Sequence, residues 1–253
     1  MLALDFPPIS HLIEWPDIFL KGNEWFAINK VVLLMFAAVA VVFGFYMTAA
    51  RKASLVPTGV QNMAEVAVDF VRNDIILQGI GPDGLAFTPF LLTLFSFIFV
   101  GNLFEVIPGV QMPVNARMAL PAFMAIIIWF IYHYVGIKHQ GPLKYLKAST
   151  IPPGVPLAML PLVAFIEFLQ FLLLRPFSLA VRLFANMLAG HLLLVTFAVL
   201  TAALFKATYI GAAAPLALLI ALTGFEVLVA FLQAFIFTIL AAVYIGGAMH
   251  PEH

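Results

Sequence analysis

Across the 93 positions from Leu157 to Met249, Asp, Glu, Lys and Arg occur only at Glu167, Arg175, Arg182, Lys206 and Glu226. An ionisable side chain near the middle of a membrane helix costs about 2.5–3.5 kcal/mol on insertion scales, so it is usually turned to a partner or a hydrated cavity. Arg175 stands beside Pro176 and can carry its charge to an interface by extending its stem. Arg182 has apolar neighbours on both sides and no local carboxylate. A fixed cation in that setting points to ion movement in preference to a structural ion pair. At 100° per residue, Ala185 and Ala189 share its helix face, with Asn186 slightly to one side, and such a stripe of small residues lets another helix pass close. His191, nine positions on, projects to the opposite face, so the two side chains serve different compartments of one helix. Glu226 and Gln233, seven apart, share a face of the next helix. An embedded imidazole and carboxylate in one helical pair favour a proton path, whereas Gln233 alone is better read as an interhelical hydrogen bond.

The elements that must position these residues follow from composition. Of 253 residues 64% are hydrophobic and 9% charged, against about 25% charged in a soluble domain, so the chain is an integral membrane protein. The net charge of zero argues against nucleic-acid binding, and the lack of cysteine excludes disulfides and thiolate metal sites. No cofactor or metal site is expected. No Lys or Arg precedes Lys21, so the basic start of an export signal is missing and the first apolar run is expected to be retained.

The fold expected is all-α, with about five membrane-embedded helices and one amphipathic surface helix. Residues 1–30 form an external segment and 31–50 the first span, which ends at Arg51-Lys52. Over 58–78, Gln61, Glu65, Asp69 and Arg72 recur at helical spacing opposite Val60, Met63, Ala64, Ala67 and Val71, which predicts the amphipathic helix. Residues 85–139 read as a transmembrane hairpin turned at Pro108, Gly109 and Pro113. Residues 157–248 read as two long, strongly tilted helices. The first would run for ~70 Å at 1.5 Å per residue, more than twice the ~30 Å apolar core, and Pro176 is the place to expect a kink. Placing Arg51, Lys52, Arg72, Lys138, Lys144 and Lys147 inside leaves Lys21, Lys30 and Arg117 outside, which puts the N-terminus outside.

The run Pro176-Phe-Ser-Leu-Ala-Val-Arg182-Leu-Phe-Ala-Asn186-Met-Leu-Ala-Gly-His191 closely resembles the signature of subunit a of F-type ATP synthases. Gln233-Ala-Phe-Ile-Phe237 resembles that family's second signature, and Gly-Asn102-Leu-Phe-Glu105-Val-Ile-Pro108 fits its hairpin end. The resemblance covers about Val31 to Tyr244. It implies a stationary subunit, not an enzyme on its own, beside a rotating ring of c subunits that each bear a membrane carboxylate, with b subunits forming a peripheral stalk. Position by position, Arg182 matches the essential arginine that faces the ring carboxylate. Asn186, His191, Glu226 and Gln233 match polar residues of the outer half-channel, with Asn102 and Glu105 near its mouth. The family carries one acid and one histidine at the positions of His191 and Glu226, in either arrangement. Glu167 is similar to the carboxylate of the inner half-channel, though it stands one residue further from the proline than the family pattern. A bacterial cell membrane is expected in preference to a mitochondrial one. A secondary transporter, a membrane scaffold and sodium as the driving ion are the competing readings.

Overall fold

The computed structural model describes residues 28–51, 54–151, 155–156, 158–207 and 210–249. Most of the expected external segment, with Lys21, lies outside the described residues, as do Lys52 and the Pro152–Gly154 part of the proline-rich loop. Among the described residues every element is a helix, and five are long and apolar enough to cross a membrane. The chain is a multi-pass, all-α membrane protein.

Helix α1 is Lys30–Arg51. Asn29 starts it by accepting a hydrogen bond from the Val32 N–H at 3.1 Å, which satisfies a donor that the first turn leaves open. The amphipathic stretch is α2, Val60–Phe70, followed by a π-helical turn, Val71–Ile76, and the short α3, Leu77–Gly79. On its polar side the Gln61 amide donates to Glu65 one turn away, at 2.8 Å. Of the apolar set, Ala64 and Val71 are buried while Val60 and Met63 are exposed. A 3-10 turn, Pro82–Phe87, leads into α4, Thr88–Leu103, and a second, Val114–Ala116, precedes α5, Ala119–Gln140. Then come α6, Pro142–Thr150, α7, Leu160–Leu169, α8, Arg175–Ala207, and α9, Ala213–Met249.

The kink expected at Pro176 takes a different form. Helices α7 and α8 are joined by a π-helical turn, Gln170–Leu174, just ahead of the proline. A π turn accommodates one extra residue within an otherwise α-helical run, and Pro176, which has no N–H, falls where the chain resumes α geometry.

The chain divides into two compact units. The first comprises Met1–Met47, Ser96–Arg117 and Phe184–Ala234. In it the Tyr46 and Ser96 hydroxyls share a hydrogen bond of 2.8 Å between α1 and α4, and Phe99 meets Phe231 edge-on. The second comprises Thr48–Phe95, Met118–Leu183 and Phe235–His253. In it α3 and the end of α9 cross closely. A Cβ on Gly79 would stand 2.8 Å from that of Ala242, and Gly246 lies directly against the Gly79 carbonyl. Small residues are what allow two apolar helices to approach this closely without water to drive them together. Gln140 closes the same unit by donating to the Ala248 carbonyl at 2.8 Å.

Candidate functional site

In the first unit, the end of α4 turns over through Glu105 N–H to Asn102 O, 3.1 Å, and Val106 N–H to Leu103 O, 3.1 Å. The reversal returns through Val114–Ala116, all three residues buried. Asn115 Nδ2 donates to Asn102 Oδ1 at 2.7 Å, so one buried amide fixes the orientation of the other. That arrangement sets Glu105 inside the unit, 4% exposed, with Oε1 3.7 Å from His191 Nδ1. Glu226 comes from α9 on the other side. Its carboxylate occupies the space that a side chain at Gly190 would fill: an ideal Cβ there would meet Oε1 at 2.5 Å and Oε2 at 2.7 Å. Two carboxylates therefore flank the Gly190-His191 step of α8. Burial, reinforced by the nearby charge of Glu226, pushes the Glu105 carboxyl up to about 8.

Asn102, Glu105, His191, Glu226 and Gln233 are all buried. Among the described residues, Glu105 Oε1, Glu226 Oε2 and Asn102 Nδ2 have no hydrogen-bond partner. A buried polar atom left in that state costs roughly 1–3 kcal/mol. A cavity of about 420 Å³ reaches the pair, with Lys30, Gln111 and Thr223 among its walls beside Glu105 and His191. Lys30 Nζ donates to the Val110 carbonyl at 2.8 Å, pinning the 105–111 loop to the start of α1. That loop relies on two left-handed residues, Gly109 and Gln111, with φ of 89° and 42°.

Arg182 lies on the part of α8 that belongs to the second unit. It is exposed, as are Ala185, Asn186 and Ala189, whereas Leu179, Leu183 and Met187 on the other side are buried. Along the helix His191 follows Arg182 by a rise of about 14 Å and a turn of roughly 180°. Gln233 follows Glu226 on one face of α9, and Glu167 is half-buried on α7. Arg175 does not reach outward. It is half-buried, its guanidinium 5.5 Å from the centre of the Tyr244 ring, where an aromatic face offsets part of the loss of water.

Sequence reasoning missed Asn115, Lys30 and Gly190. The only hints were an asparagine between two breaks in the helices and a helix-interior glycine beside a histidine.

The sequence pattern of a family described as ATP synthase A chain matches residues 31–246. The chain is 43% identical over 243 residues to the ATP synthase subunit a of Frankia alni, covering 95% of this chain and 84% of that one. It is 40% identical over 242 residues to the subunit a of Rhodococcus erythropolis, covering 94% and 88%. With that of Rhodopseudomonas palustris strain HaA2 it shares 41% over 235 residues, covering 92% of each.

Proposed function

The chain belongs to the ATP synthase A chain family, and from that premise we propose that it is the stator subunit at which proton flow turns the rotor. The family is a membrane subunit of a proton-transporting complex and not its catalytic part. In this reading Arg182 faces the carboxylates of a passing c ring, b subunits hold the chain still, and the assembly sits in a bacterial cell membrane. The buried set Glu105, His191 and Glu226 carries the proposal.

An arginine side chain is effectively always charged, so Arg182 does not itself carry the proton. Its charge favours ionisation of a ring carboxylate that draws level with it. The released proton leaves by one half-channel, and the carboxylate takes up another from the second after it has passed. The outer half-channel is the cavity beside Glu105, continued by Asn102, His191, Glu226, Gln233 and Asn186. A proton taken up at Glu105 is passed to the His191 imidazole beside it, which accepts it at one nitrogen and releases one from the other toward Glu226. Glu167 on α7 serves the inner half-channel, and the stripe Ala185 and Ala189 lets the ring pass close to Arg182. Fixed positive charge at Arg182 repels a proton that would otherwise leak between the two paths. A membrane potential contributes about 2.3 kcal/mol per charge per 100 mV to the direction of turning.

The test is Arg182→Ala in vesicles carrying the whole complex. ATP-driven acidification is expected to vanish while the complex still assembles. Coupled pumping at the unmodified rate would overturn the reading.

A further inference from the structure

The π-helical turn at Gln170–Leu174 leaves two backbone carbonyls without their usual donors. The Arg175 N–H bonds to Gln170 O, five residues back, so it is withdrawn from Phe171 O, its partner in a regular α-helix. The next residue, Pro176, has no N–H to offer either to Phe171 O or to Leu172 O. Both acceptors are met from α5. The Tyr132 hydroxyl donates to Phe171 O at 3.0 Å, and Trp129 Nε1 donates to Leu172 O at 3.0 Å. Tyr132 is 1% exposed, which leaves its hydroxyl no solvent to turn to. These residues, with Arg182, all belong to the second unit.

We propose that Tyr132 and Trp129 are positioning residues that hold this π turn and so set the angle at which Arg182 is presented. A π turn stores one residue, and releasing it would rotate everything that follows by about 100° relative to α7. Arg182 lies eight residues past the turn, so it would swing off its exposed face, and Leu183 would swing towards one. The turn thereby governs how Glu167 and Arg182 are faced relative to each other. The functional part of this inference rests on the proposed role of Arg182; the structural part does not.

The chain has no cysteine of its own, so single cysteines introduced one at a time report the angle. The full chain in mild detergent would be labelled with a small maleimide at Ser178→Cys, Leu183→Cys and Leu91→Cys. Ser178 is exposed, while Leu183 and Leu91 are fully buried, the last far from the turn in sequence. In Tyr132→Phe, and more so with Trp129→Phe, labelling at Leu183→Cys should rise at least tenfold while Leu91→Cys stays protected. Adding Pro176→Ala restores an N–H to the orphaned carbonyls and should return Leu183→Cys to protection. In the whole complex, the same single variant should lower the protons pumped per ATP, and Pro176→Ala should recover them. Continued protection of Leu183→Cys, exposure of Leu91→Cys along with it, or no rescue by Pro176→Ala would each overturn the proposal. Shifted labelling with unchanged pumping would overturn its link to Arg182 alone, whereas Arg182→Ala tests that role directly.

Discussion

Replacing Gly190 by alanine sets two opposing effects against each other. In an exposed helix interior the change would gain about 0.8–1.0 kcal/mol in helix propensity. Here the new methyl would stand 2.5 Å from one Glu226 oxygen and 2.7 Å from the other. To reach ordinary contact the carboxylate must retreat by about 1 Å, and overpacking of a filled interior costs roughly 1–3 kcal/mol. Overlap outweighs propensity, so folding stability should fall by about 0–2 kcal/mol. Function should not be spared. Proton transfer needs donor and acceptor within about 2.6–3.2 Å or one water apart, and a 1 Å displacement of the Glu226 carboxylate is large against that window. Gly190→Ala should slow ATP-driven acidification about tenfold or more, equivalent to about 1.4 kcal/mol in the barrier, with assembly little altered. Shortening the acid withdraws the carboxylate by one methylene, so Gly190→Ala with Glu226→Asp should pump faster than Gly190→Ala alone. Wild-type acidification by the single variant would refute the reasoning, and so would a double variant slower than the single one.

Two further outcomes follow from the same unit. Glu105 holds its proton up to about pH 8, against 4.5 for a free side chain, so the folded chain binds a proton that the unfolded chain has lost. Its contribution to stability is therefore complete below about pH 4.5 and disappears as pH rises through 8; Glu105→Gln should flatten the fall in unfolding temperature across that window and remove an alkaline limb near pH 8 from the pumping rate. Asn115→Ala strips Asn102 Oδ1 of its 2.7 Å donor inside the protein, which should lower unfolding stability by roughly 1–3 kcal/mol, as measured by denaturation in detergent, while Asn115→Leu should do no better because the acceptor stays unmet.

What the sequence could reveal was whatever helical geometry alone decides. The spacing of Arg182, Ala185, Asn186 and Ala189 puts them on one side, and all four are exposed. Nine residues turn His191 to the other side, where it is buried. Glu226 and Gln233, seven apart, are buried on one face of α9 for the same reason. Apolar length was equally legible, because membrane thickness sets it. Contacts between distant segments carried no such periodic trace. Glu105 and His191 are 86 positions apart, and nothing in either neighbourhood announces that a glycine at 190 leaves room for Glu226. Nor did the pattern disclose the π turn. A proline marks where a helix is disturbed, but the form of the disturbance depends on which donors reach it, and those come from Trp129 and Tyr132 on another helix.

That dependence joins the two halves of α8. In the proposed roles the arginine must stay charged and face outward, and the imidazole must lie inward beside Glu105. Nine residues of helical separation are compatible with both demands, since two and a half turns reverse the direction of a side chain. The angle of Arg182 in the second unit is set upstream of it, where Tyr132 and Trp129 cap the π turn. This is why a lost hydroxyl at Tyr132 is expected to act on proton coupling, although neither it nor the carbonyl it caps stands on the proposed proton path.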